Sequence, residues 1–518
     1  MVDTALLSPF LPEIVLLGAG LLVLLADRAG VERREYFGAV ALAGLLFAFL
    51  LVLADAGLVG LGALRTIPAS SVDVAPTAGV LYAFSSLGLL FQSFFLLAAG
   101  LVALAFLSGP SRGRGAPVAY GLLLFATLGM LLVAVSADLI VLLLALELTA
   151  ISSYLLVGYT RREPRGLEAA MKFYIIGALS AALSFFGASL LYGAYGTTSL
   201  AVIGHTWPSG SGALASAGYG FLLVGLGFEV TAVPFHMWAV DVYDGAPNEV
   251  SAFLAGGTKK MGLFAVFLLF TVPLLLVGPL SSPAGSARES LQIALAILAL
   301  LTMTLGNVLA LLQKEMKRLL AYSSISQAGY MLLGVTVATA PGLTGASMQI
   351  FAHVLLKTGA FLVVAAAAAL GVGPLVSDWR GLGVRRPYLS AAFALFLLGL
   401  AGIPLTVGFV SKFVLFAALV QAQGLFLWLA IAGLLNSALS VFYYARVLKT
   451  MYVDAPPTLP PPIPGPAEPP MGALGGIGWG RAGAISLAAV AVVALGVYPQ
   501  PVLSALGTAA QHFLGLGL

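Results

Sequence analysis

The chain has 518 residues, of which 60% are hydrophobic and only 8% charged, against about 25% charged in a soluble domain. A water-soluble globule is excluded, and the absence of cysteine excludes disulfides, thiolate-bound metals and cysteine-held iron–sulfur clusters. The net charge of +4 is small, so the placement of the charges says more than their sum.

Apolar runs long enough to cross a hydrocarbon core of about 30 Å recur along the whole chain. They predict fourteen spans, at about 10–27, 37–54, 84–108, 117–136, 138–159, 167–193, 217–243, 249–278, 290–313, 317–338, 342–370, 388–421, 423–450 and 482–498. Helices are expected, because lipid offers no partner to a strand edge and the runs are too long and apolar for barrel strands. The first run follows MVDTALLSPF, which has no basic residue, and is read as a full span with no cleaved signal. Basic residues support the count. Of 24 Lys and Arg, seventeen fall in or beside loops after odd-numbered spans, and only Arg65 and Arg288 fall on the other side. Positive loops face the cytoplasm, so both termini are expected outside it. The Pro-rich stretch Asp454–Pro470 reads as an extended cytoplasmic linker.

Five basic residues remain within spans, Lys172, Lys259, Lys260, Lys357 and Lys412, and two acids, Glu147 and Glu229, join them well inside spans. Each costs about 2.5–3.5 kcal/mol at mid-bilayer, so together they would cost on the order of 20 kcal/mol if unpaired. Ion pairing, internal water or function must offset that cost. Helix-locking ion pairs and snorkelling lysines account for single residues; for the whole set a row that carries protons is the better reading. Two spans carry a central proline: Glu229 precedes Pro234, and Lys412 follows Pro404. Proline frees backbone carbonyls, and such breaks in lipid are tolerated where they face protein or water. A matched pair of interrupted helices points to inverted repeats around a transport path. His236, two residues after Pro234, and His353, one helical turn before Lys357, are candidate relays or structural histidines. His205 and His512 receive no role. Asp241, Asp244 and Glu249 read as a solvated turn. The sequence has no P-loop and no strand–GxGxxG–helix unit, so no nucleotide site is expected. Its few scattered histidines argue against haem or a metal centre.

Several strings carry a family resemblance. GFEVTAVPFHMWAVDVYDGAPNEVSAFLAGGTKK, LALELTAISSYLLVGY, MKRLLAYSSISQAGYMLLG and AGIPLTVGFVSKF resemble the antiporter-like membrane subunits of respiratory complex I, over roughly residues 115–450. The pattern is most like their subunit N branch. The resemblance implies an all-α integral membrane protein with two inverted five-helix repeats, spans 4–8 and 9–13, and with spans 7 and 12 broken. The chain then divides into residues 1–108 (spans 1–3), 109–278 (first repeat), 279–450 (second repeat), 451–480 (linker) and 481–518 (last span). By the same resemblance Glu147 modulates the row, Lys172 and Lys259 follow it, and Lys412 releases the proton outward.

Two departures stand out. Glu229 occupies the place of the family's seventh-span lysine, where Lys260 is a candidate compensating cation. Two carboxyls in a low dielectric repel, which favours one of them holding a proton. His353 with Lys357 resembles the other antiporter-like subunits and Mrp-type sodium/proton antiporters. The implied partners are the other membrane and peripheral-arm subunits and the lipid bilayer of a bacterial or archaeal cell membrane, with no nucleic acid. No cofactor or metal is expected in this chain; quinone, flavin and iron–sulfur clusters belong to partner subunits. The rivals are an Mrp-type antiporter without redox partners and a scaffold whose buried charges only lock helices. A carrier for a larger solute finds little support, because the polar residues are strung along many spans.

Overall fold

The computed structural model describes residues 7–31, 35–58, 64–67, 69–73, 79–108, 115–160, 164–207, 212–276, 283–456 and 476–516. Among them, twelve helices are long and apolar enough to cross a membrane. In chain order the crossings are α1 (Leu11–Arg28), α2 (Glu35–Asp55), α3 (Ser86–Phe106), α4 (Ala116–Ala134), α5 (Leu139–Val157), α6 (Pro164–Tyr195), a split α7 (α7a Gly212–Val230, α7b Met237–Gly245) and α8. α8 runs as Asn248–Phe253, a π turn Leu254–Thr258, and Lys259–Leu276. Then follow α9 (Pro283–Leu312), α10 (Met316–Val337), α11 (Ala340–Ala369), a split α12 (α12a Pro387–Ala401, α12b Val407–Ala422), α13 (Leu425–Tyr452) and α14 (Trp479–Val497). α10 is more polar than the other crossings, and with it and the split α12 the fourteen predicted spans are all present as helix. Short side chains start several of them by accepting from otherwise orphaned amides. Asp138 takes Ile140 and Val141 N–H at 2.9 and 3.2 Å, Ser85 takes Gly88 N–H at 3.0 Å, and Thr339 takes Gly342 N–H at 3.3 Å.

Both expected breaks are present. Between α7a and α7b, Thr231 adopts φ +60°; between α12a and α12b, Leu405 adopts φ +71°. These left-handed, non-glycine residues lie within three positions of Pro234 and Pro404 respectively, where the helical ladder is already interrupted.

The core is set by α8 and α11, whose apolar windows are wholly buried, whereas α6 and α13 are about one-third buried and form the flanks. α11 packs against the first half of α8, α3, α10, both parts of α12 and α14. α9 and α10 approach backbone to backbone. A Cβ on Gly306 would stand 2.5 Å from Ser326 N, and one on Gly329 would stand 2.5 Å from Met303 N. Small residues of this kind let membrane helices meet closely, and here they bring polar side chains on α9 and α10 together.

The last segment departs from expectation. The sequence predicts one span over residues 481–518, but a further helix, α15 (Gln500–Leu516), follows α14. It folds back on α11, α3 and α8 and buries Leu506, Ala509, Ala510 and Phe513, while Gln511 and His512 stay outward. Its apolar residues cover one face only, so no continuous apolar run announces it. Residues 457–475, most of the Pro-rich stretch, lie outside the described residues.

Candidate functional site

Four lysines stand in the interior. Lys259, Lys260, Lys357 and Lys412 are all buried, and among the described residues none of them forms an ion pair. Uncharged oxygens and aromatic faces stabilise them instead. The π turn Leu254–Thr258 ends where Lys259 begins. Such a turn inserts an extra residue and leaves a carbonyl without its usual helical donor; Lys260 Nζ donates to Ala255 O inside that turn. Lys259 Nζ donates to Ser324 Oγ at 3.2 Å and stands 5.4 Å from the Tyr243 ring centre. Lys357 Nζ donates to Leu320 O and Ser323 Oγ, both at 2.8 Å. His353 is buried within electrostatic reach of Lys259, Lys260 and Lys357, and neither ring nitrogen finds a hydrogen-bond partner among the described residues.

Lys412 uses the break in α12 directly. Its Nζ donates to Leu400 O at 2.9 Å and Ala401 O at 3.0 Å, the last carbonyls of α12a, and to Ser437 Oγ at 2.9 Å. The Tyr330 ring centre lies 5.1 Å away. The break that costs the helix its ladder thus supplies the oxygens that solvate the ammonium. The break in α7 is filled differently: Trp238 Nε1–H donates to Phe228 O at 3.2 Å and Val233 N–H donates to Thr302 Oγ1 at 3.0 Å. The Phe228 carbonyl also accepts from Thr231 N–H at 2.9 Å, so no cation is required there, which fits a glutamate at 229.

Glu147 on α5 and Glu229 on α7a are half-buried and repel each other; the Tyr154 hydroxyl lies within the field of both. Among the described residues neither carboxylate has an ion pair or hydrogen bond. Gly262 of α8 makes room for Glu229, since a Cβ there would stand 2.7 Å from Glu229 Cβ. His236, half-buried at the start of α7b, feels the charge of Lys259.

Lys172 stands apart from this row. Its side chain is 43% exposed and pairs with Glu168 at 2.8 Å and Asp241 at 3.0 Å; Arg318 Nη1 joins Asp241 at 3.0 Å. The helix begins at Pro164, so Lys172 lies in its early turns and reaches polar surroundings. The reading of Asp241, Asp244 and Glu249 as a solvated turn is corrected by the same region. Asp241 holds two cations, and Glu249 is buried against Arg481 of α14 (Nη2–Oε1 2.6 Å, Nε–Oε1 3.0 Å). Arg481, at the start of α14, is therefore an interior cation. Lys317 Nζ closes the turn on Asp244 O and Ala246 O, each at 2.7 Å. Between this turn, the start of α10 and the end of α11 lies an open cavity of about 530 Å³, lined by Arg165, Asp244, Glu249, Lys317, Trp379 and Arg481 among others.

Neutral polar residues that the sequence reading passed over complete the site. Ser323, Ser324 and Gln327 of α10, Gln349 of α11, Asn307 of α9 and Asn436, Tyr443 and Tyr444 of α13 are all buried; Ser324 accepts from Lys259 and Ser323 from Lys357, while Tyr444 bonds Ser323, Asn307 bonds Tyr443 and Asn436, and Gln349 bonds Gln327. Their signal was present in the string SSISQAGY and in the tyrosine pair 443–444, but neutral polar residues in a span have no preferred reading without their partners. The serine hydroxyls beside Lys259, Lys357 and Lys412 can each accept and donate a proton. Among the described residues no group of three His, Asp or Glu stands close enough to hold a metal.

Comparison with known proteins gives consistent results. The NADH:quinone oxidoreductase/Mrp antiporter transmembrane family matches residues 136–440. The chain is 37% identical over 507 residues to F(420)H(2) dehydrogenase subunit N of Methanosarcina mazei, covering 95% of each chain. It is 38% identical over 517 residues to NADH-quinone oxidoreductase subunit N 2 of Sorangium cellulosum, covering 96% of each. Among solved structures, a chain of respiratory complex I from Thermus thermophilus with bound aureothin superposes with a TM-score of 0.74 at 30% identity, covering 96% of this chain and 99% of that one. The resemblance to complex I membrane subunits, and to their subunit N branch, is borne out.

Proposed function

The chain belongs to the family of NADH:quinone oxidoreductase and Mrp antiporter membrane proteins, and on that premise we propose that it is a proton-translocating, subunit N-type member of a complex I-like oxidoreductase using NADH or a related donor and a quinone. The observation that carries this reading is the set of four buried lysines that form no ion pair among the described residues, three of which donate to serine hydroxyls, Lys259 to Ser324, Lys357 to Ser323 and Lys412 to Ser437. A structural lysine in lipid is held by a carboxylate or snorkels outward; these do neither.

In this reading protons enter from the cytoplasmic face, where Lys172 with Asp241 and the cavity at Glu249 and Lys317 gather polar groups. They pass Lys259 and Lys260, then His353 and Lys357, and leave at Lys412. Glu147 and Glu229 act on the row through their charge, Glu229 from beside Gly262 of α8, and His236 lies within the field of Lys259. Moving a proton onto or off that acid pair changes the field at the lysines, the coupling a pump requires. The matched breaks of α7 and α12 support the reading of residues 109–278 and 279–450 as inverted repeats. Electron transfer belongs to partner subunits that carry the quinone site, flavin and iron–sulfur clusters. The protein sits in the membrane of a bacterial or archaeal cell with both termini outside the cytoplasm.

A second reading, an Mrp-type cation/proton antiporter, draws on His353 one turn before Lys357. Two measurements separate them. Tagging the chain in native membranes should co-purify dehydrogenase subunits; recovery of Mrp-like partners alone, with sodium-dependent exchange, favours the antiporter. Lys412→Ala should abolish redox-driven proton pumping, and full pumping at unchanged proton-to-electron ratio in that variant refutes the exit role.

A further inference from the structure

Between Lys357 and Lys412 lies a neutral gap, and one side chain in it contacts residues on the side of each lysine. Asn307 is wholly buried. Its Oδ1 accepts from Tyr443 Oη at 3.0 Å. Its Nδ2 donates to Tyr330 Oη at 3.2 Å, to Asn436 Oδ1 at 3.2 Å and to Asn436 O at 3.1 Å. On the Tyr443 side, the rings of Tyr443 and Tyr444 meet at 4.4 Å, Tyr444 Oη hydrogen-bonds Ser323 Oγ, and Ser323 Oγ accepts from Lys357 at 2.8 Å. On the other side, Tyr330 presents its ring to Lys412, and Asn436 stands beside Ser437, which accepts from the same ammonium at 2.9 Å. Asn436 is in turn fixed by Thr304 at 3.2 Å and Ala432 O at 3.0 Å.

We propose that Asn307 is a positioning residue for proton transfer, an amide hub that aligns the Tyr443–Tyr444–Ser323 arm toward Lys357 and the Tyr330–Asn436 arm toward Lys412. A carboxamide suits this place because it accepts and donates at once and carries no charge. A leucine of similar volume does neither and leaves two buried hydroxyls without their partner. The close packing of Gly306 on Ser326 holds the adjacent turn of α9 against α10, so the hub has little freedom to be replaced by movement of the backbone. A parallel bridge exists: Ser411 donates to Gln349 at 2.6 Å, Gln349 donates to Gln327 at 2.7 Å, and Gln327 reaches the Leu400 carbonyl that Lys412 also uses, at 3.2 Å. The proposal is that the Asn307 route carries the transfer and the glutamine route holds the helices. It rests on the pumping reading given above.

The test uses the assembled complex in native membrane vesicles. Redox-driven proton uptake and quinone reduction are measured in H₂O and D₂O for Asn307→Leu, Asn307→Ser, Tyr443→Phe, Asn307→Leu with Tyr443→Phe, and Lys412→Ala. Asn307→Leu should lower coupled turnover about tenfold and raise the solvent isotope effect, because the interrupted transfer becomes limiting. Asn307→Ser, with a hydroxyl and room for water, should recover part of the rate. Tyr443→Phe should add less than about twofold in the Asn307→Leu background, since both interrupt one chain. Unchanged rate and isotope effect in Asn307→Leu, with pumping lost in Lys412→Ala, overturn the hub and leave the pumping row standing. Intact pumping in Lys412→Ala overturns both. If Asn307→Leu does not assemble, Asn307→Ser and Tyr443→Phe decide: a wild-type isotope effect in both overturns the hub.

Discussion

Replacing Arg481 by methionine tests the interior electrostatics away from the lysine row. The guanidinium and Glu249 are 7% and 3% exposed, and two hydrogen bonds of 2.6 and 3.0 Å converge on one carboxylate oxygen. Removing one partner of such a pair costs about 3–5 kcal/mol, chiefly because the other charge stays buried. Both residues also line the cavity of about 530 Å³, where water can reach the abandoned carboxylate, so the lower end, about 3 kcal/mol, is expected. That corresponds to roughly a hundredfold fall in the ratio of intact to disrupted protein. The assay is the assembled fraction on native gels, together with the thermal midpoint of the detergent-solubilised complex. Replacing both partners, Arg481→Met with Glu249→Leu, should recover most of the loss, because an apolar pair of similar size carries no desolvation cost. A harmless Arg481→Met, or a double variant as unstable as the single, would refute the assignment of a buried, mutually dependent pair.

Two smaller tests follow. Asp241→Asn should change assembly by less than about 1 kcal/mol despite the two cations on Asp241, because the pairs with Lys172 and Arg318 are 32–43% exposed and screened by solvent; loss of the protein from the membrane in this variant contradicts that weighting. At Gly256 a Cβ would stand 1.9 Å from Thr358 Oγ1, so Gly256→Ala should destabilise by about 1–3 kcal/mol through overpacking. Adding Thr358→Ala should relieve it, as read from the same thermal midpoint.

The crossings and their two interruptions were legible because each rests on a local cause. Apolar runs mark helices in lipid, and Pro234 and Pro404 mark where the ladder must fail. The clustering of Lys259, Lys260, Lys357 and Lys412 was legible as cost, since charge in lipid demands an explanation wherever it occurs. What satisfies that charge was not legible. Glu249 meets Arg481 across 232 residues, and Asn307 meets Asn436 across 129; neither spacing leaves a periodic trace. Lys172 lies in a segment as apolar as its neighbours, yet its flexible stem reaches Glu168 and Asp241 outside the interior. α15 escaped because a one-sided helix on the surface of a bundle has no continuous apolar run.

The adjacent lysines after the π turn of α8 also bear on how the chain enters its bilayer. Two ammonium groups subtract about 5–7 kcal/mol from the insertion of that segment by itself. The groups that receive them arrive later during synthesis: Ser324 follows Lys259 by 65 residues, and α11, which walls the site, ends at Ala369. α8 is therefore only weakly stable as a lone span and gains its full hold on the membrane once α10 and α11 emerge beside it, which makes biogenesis of the centre a joint event of three helices rather than a sequence of independent insertions.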